Sequence, residues 1–123
     1  MQYMLLIYDD ESQWGTWSEE DSKAFMDEYF AYTEELRNSG AHVAGEALQP
    51  TTTAKTVHVR DDQRFVTDGP FAETKEQLGG FYLIDVDSED EALEWAARIP
   101  SSRYGRIEVR ALMQFPATTE ATG

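Results

Sequence analysis

The sequence predicts one α+β domain of ferredoxin-like type: a βαββαβ chain with an extra β-hairpin, its antiparallel sheet carrying two helices on one face. Three observations predict it. Apolar, strand-like runs alternate with two serine-capped helical stretches in the order β-α-β, hairpin, β-α-β. The 123 residues suffice for one core, with no internal repeat and no linker long enough to divide them. A hydrophobic content of 41%, with 12% aromatic, can fill that core.

Gln2 to Tyr8 is a nearly unbroken apolar run, as expected of a strand buried on both faces. A loop carrying Trp14 and Trp17 leads to Ser18, which caps a helix whose first turn is acidic. Phe25, Tyr29, Tyr32 and Leu36 form its apolar stripe, and Asn38-Ser39-Gly40 ends it. Ala41 to Leu48 is the second strand. Lys55 to Arg60 and Arg64 to Thr67 make a hairpin through Asp61-Asp62-Gln63, and Asp68-Gly69-Pro70-Phe71 is a turn. Gly79-Gly80 introduces the strand Phe81 to Val86. Ser88 opens a second helix that points Ala92, Leu93, Ala96 and Ile99 inward and stops at Pro100. Arg106 to Met113 is the last strand. The domain spans residues 1–116, and Ala117 to Gly123 read as a frayed tail.

Two helices cover only one face of such a sheet, yet the major strands are apolar on both. Phe81 and Leu83 point one way and Tyr82 and Ile84 the other; Met4 and Leu6 oppose Tyr3, Leu5 and Ile7. A second copy packed on the bare face is the simplest cover, so a homodimer is expected. The alternative cover is the hairpin together with the Trp14/Trp17 loop.

The formal charge of −14 repels phosphate backbones and anionic lipid, which argues against nucleic-acid and membrane partners. With no cysteine, disulfides and thiolate chemistry are excluded. Met1 to Tyr8 has no basic leader and no long apolar run, so a cytoplasmic location is expected by default. His42 and His58 lack zinc-site spacing and read as surface residues; no metal site is expected, and no cofactor is indicated.

Polar residues at apolar positions are the candidates for chemistry. Glu46 lies within the second strand, and Glu108 and Arg110 share a face of the last one. Either they form structural ion pairs, or they line a cavity between sheet and dimer partner that receives a small, anionic molecule. Asp68 either holds its turn or serves as a general acid or base at the cavity mouth, with Glu73, Lys75 and Glu76 close behind. The acidic surface also suits a non-catalytic interaction module with a basic partner.

The run from Val66 to Phe81, centred on Asp68-Gly69-Pro70-Phe71 and Lys75-Glu76-Gln77-Leu78-Gly79-Gly80, resembles the hallmark of the DGPF branch of the YCII-related proteins. Met1 to Tyr8, Gly45 to Leu48, Glu94 to Pro100 and Ile107 to Arg110 fit the same group, so the resemblance covers nearly the whole domain. It implies a dimeric α/β barrel, a bacterial source and, through members beside or fused to extracytoplasmic-function sigma factors, a possible sigma-factor partner. The His-Asp pair discussed for the wider group has no counterpart motif at His42 or His58.

Overall fold

The computed structural model describes residues 1–115, so the expected tail lies outside the described residues. They carry six strands and two α-helices: β1 (Gln2–Asp9), α1 (Glu19–Ser39), β2 (His42–Ala47), β3 (Lys55–Arg60), β4 (Gln63–Asp68), β5 (Gln77–Asp85), α2 (Glu89–Arg98) and β6 (Arg106–Ala111). The main sheet has the order β2-β5-β1-β6, antiparallel throughout, and β3-β4 stand apart as a two-stranded hairpin. This is the ferredoxin-like arrangement with an inserted hairpin. Among the described residues no helix is long and apolar enough to cross a membrane.

Local chemistry sets the element ends. Ser18 and Ser88 each accept a hydrogen bond from the backbone N–H three residues on, at 3.0 and 3.2 Å. Gly40, at φ +86°, ends α1 in the left-handed region that side chains avoid. Ser18→Ala is expected to cost about 1 kcal/mol of stability, to be read from urea melts. Asp61 and Asp62 both take positive φ, so the hairpin closes on a two-residue turn rather than the three residues expected from sequence. The strand expected from Phe81 begins earlier, at Gln77, and takes both glycines into its interior. Gly80 is needed there because a Cβ would sit 2.8 Å from the Glu46 carbonyl oxygen on β2.

The core lies between the helices and one sheet face. Leu5, Leu36, Ile84 and Ile99 are fully buried in it, beside Tyr3, Ile7, Tyr32, Tyr82, Ala92 and Ala96. Leu93, expected inward, is exposed, and Trp95 packs against the core in its place.

The other face is the less covered one. Register places Glu46, Phe81, Leu6 and Glu108 in one row, and Ala44, Leu83, Met4 and Arg110 in the next. The hairpin makes no substantial contact with the strands of the main sheet, and of the two loop tryptophans only Trp17 reaches the groove beside Tyr8 and Glu108. Trp14 and Trp17 pack edge-on against Phe25, on the helix side, and the hairpin leaves Val57, Val59, Phe65 and Val66 exposed.

Candidate functional site

β1 alternates strictly, with Tyr3, Leu5 and Ile7 facing the helices. Two residues further the same alternation buries Asp9, a carboxylate, at 8% exposure. Burial raises its pKa above the ordinary carboxylate value, opposed by hydrogen bonds from Trp14 and Ser101, and the nearby Glu76 and Glu11 carboxylates push it further up. Ser101 Oγ lies 2.7 Å from the Tyr29 hydroxyl. Burial pushes that phenol up to about 12, so Tyr29 keeps its proton at neutral pH and serves as a neutral hydrogen-bonding group. Asp9, Ser101 and Tyr29 thus form a polar cluster drawn from three separate elements.

This cluster borders a cavity of about 390 Å³ between α1 and the β2–β5 edge. Trp14, Phe25, Tyr29 and Phe30 give it aromatic walls, and Gly79 and Gly80 give it a floor of bare backbone. At another part of its lining stand Thr33, Arg37, His42 and Tyr82, with Thr33 Oγ1 and the Tyr82 hydroxyl 2.5 Å apart. His42, expected at the surface, is half-buried, its ring 6.3 Å from that of Tyr82. A mostly apolar concavity with a few convergent polar groups and one buried acid has the features of a small-molecule site.

A second, larger groove of about 970 Å³ runs beside the loop before β5 and along β6. It brings Lys75 and Glu108, both expected at a site, together with Tyr8, Trp17, Glu76 and Arg106. Its charges largely satisfy one another. Arg106 meets Glu76 at 2.9 Å, Arg110 meets Glu108 at 3.5 Å, and the Tyr8 hydroxyl approaches Glu108 at 3.4 Å.

The remaining sequence candidates are dispersed. Asp68 ends β4, with its side chain 87% exposed and paired with Lys55 at 2.5 Å; it lines neither cavity. Glu73 is exposed in the following loop. Glu46 lines the helix-side cavity on the edge strand, although its register with Phe81 directs its side chain towards the open face. Among the described residues no group of acids and histidines is placed to hold a metal ion.

Sequence reasoning passed over Asp9, Tyr29 and Ser101. The signal for Asp9 was the period of two from Tyr3 through Ile7. Ser101 carried none, because its partner Tyr29 is 72 residues away in the chain.

Fold and site together define a small ferredoxin-like domain with an acid-bearing cavity between its sheet and its longer helix. The chain belongs to the YCII-related family, whose domain matches residues 1–116. It is 42% identical over 114 residues to an uncharacterised protein of Rhizobium meliloti (strain 1021), covering 91% of this chain and 92% of that protein. Among solved structures it is similar to 5-chloro-2-hydroxyhydroquinone dehydrochlorinase of Burkholderia phenoliruptrix AC1100, in complex with 2,5-dihydroxybenzoquinone. That likeness has a TM-score of 0.50 at 14% identity and covers 94% of this chain and 96% of the other; it bears on the fold alone.

Proposed function

We propose that the protein binds and transforms a small molecule in the helix-side cavity, with Asp9 as the group that gives or takes a proton. The observation that carries this reading is a buried carboxylate, its pKa raised by burial, at the wall of an aromatic-lined cavity. A proton-transfer group works best with a pKa moved towards the working pH, and burial moves a carboxylate in that direction. Ser101 and Tyr29 orient the acid and offer further hydrogen bonds to a ligand. The dehydrochlorinase that shares the fold acts, by its name, on a small aromatic molecule, which is compatible with this reading.

The test is a thermal-shift screen of wild type and Asp9→Asn against small aromatic and carbonyl compounds, since binding to the native state raises the melting temperature. The expected result is at least one compound that stabilises the wild type, with its binding weakened or its turnover lost in a folded Asp9→Asn variant. A compound bound and processed alike by both proteins would remove Asp9 from the mechanism.

A second copy on the open face completes the proposal. Met4, Leu6, Phe81 and Leu83 are only half-buried there, and Phe71, at 91% exposure, projects from the turn after the hairpin. Such packing would also enclose Glu108 and Arg110, the residues expected to face a dimer partner. Light scattering at micromolar concentration is expected to give twice 14.0 kDa; a monomeric mass contradicts this part. Asp68 as an acid or base and the sigma-factor partner remain the weaker alternatives. The first needs a partner copy to enclose an exposed side chain, and the second rests on the family resemblance and the acidic surface.

A further inference from the structure

The same cavity carries a statement about which small molecules it takes, one that rests on the reading above. Apart from Glu46, whose side chain is directed to the open face, its polar side chains fall into two sets of different character. Asp9, Ser101 and Tyr29 make up one set, an acid with two hydroxyls. Arg37 and His42, with the Thr33–Tyr82 hydroxyl pair, make up the other, and only this set carries a fixed positive charge. On α1, Tyr29 and Arg37 stand two turns apart, about 12 Å along the helix axis, and this separates the acid end of the cavity from its cationic end.

Arg37 is the permanent cation of the second set and is itself exposed, so it stands where the cavity meets solvent. The chain carries 24 acids against ten bases, and six of the ten basic side chains are ion-paired with a carboxylate. Arg37 has no carboxylate within 4.0 Å among the described residues, although it lines the cavity. Its place in the last turn of α1 favours a positive charge through the helix dipole. Arg60, Arg64 and Lys75 are likewise without an ion pair among the described residues, but none of them lines this cavity. A planar, five-donor guanidinium suits a bidentate carboxylate, and the neighbouring imidazole offers one more polar contact.

We infer that the cavity takes a small aromatic carboxylate bearing a hydroxyl or carbonyl group, its carboxylate held at Arg37 and His42 and its oxygen substituent directed to Asp9. The aromatic walls take the ring, and the separation of acid from guanidinium sets the ligand's direction.

Isothermal titration calorimetry with para-hydroxybenzoate and its neutral amide, para-hydroxybenzamide, tests this on wild type, Arg37→Gln and Arg37→Lys. Wild type is expected to bind the acid about tenfold more tightly than the amide. Arg37→Gln is expected to remove that preference by weakening acid binding far more than amide binding; Arg37→Lys is expected to keep part of it. Equal binding of acid and amide by wild type overturns the inference and leaves the cavity reading standing. Failure of both probes to bind at millimolar concentration overturns the two together. Loss of both probes in a folded Arg37→Gln variant makes Arg37 a structural residue and overturns the anion site. Should Arg37→Gln fail to fold, the wild-type comparison of acid with amide decides alone.

Discussion

Asp9→Asn is expected to reduce turnover of the cavity's substrate by about 100-fold or more, the usual loss when a positioned proton-transfer group is removed, and to leave the protein more stable at pH 7. The stability effect follows from linkage. Folded Asp9 keeps its proton to higher pH than the unfolded residue does, because burial disfavours the carboxylate. The folded state therefore binds more protons than the unfolded state between the ordinary value of 3.8 and the raised native one. Stability falls as pH rises through that window and stays lowered above it. Asparagine is never charged and removes this dependence, so the melting temperatures of the two proteins should converge towards pH 4 and separate at neutral pH. Melting curves at a series of pH values check the sign. Such a gain of stability with loss of activity is the usual trade at a functional group held in an unfavourable environment.

Gly105→Ala is expected to be the most damaging of the single substitutions considered, at about 3 kcal/mol. A Cβ at this position would lie 2.0 Å from the Tyr8 carbonyl oxygen and within 3 Å of Asp9 Cα and Cβ. The obstruction is largely backbone, so no side-chain rotation relieves it. β6 must move away from β1 where β1 delivers Asp9 to the cavity. Stability and ligand binding should therefore fall together, in contrast to Asp9→Asn, where they part. Urea melts and the calorimetric titration on one preparation distinguish these patterns.

The contrast between these two positions shows what could be read from the chain. Period-two and helical spacing located the strands and helices, and Ser18 and Ser88 marked helix starts because capping is a contact three residues long. The bare sheet face was legible too, since alternation assigns Met4 and Leu6 to the side opposite Leu5. Leu93 was misplaced because a short amphipathic helix leaves its rotation open by one residue, and the large Trp95 side chain takes the inward position.

The site was harder to read. Motif density drew attention to Asp68, Glu73 and Lys75, yet the chain turns outward there and only Lys75 reaches a cavity. Asp9 stood at the end of an apolar run, where an aspartate looks like a strand terminator. Its meaning depends on Ser101 and Trp14, brought beside it by tertiary packing. Gly105 gave no sign either, because its requirement comes from the backbone of a strand nearly a hundred residues earlier in the chain.

The most direct test of the helix-side cavity as the functional site is an amide chemical-shift titration of isotope-labelled protein with the best compound from the thermal-shift screen. The largest shifts are expected at Asp9, Gly79, Gly80 and Ser101, saturating together. Shifts concentrated instead at Thr74 to Glu76 and Arg106 to Glu108 would put the ligand in the larger groove along β6 and contradict this expectation.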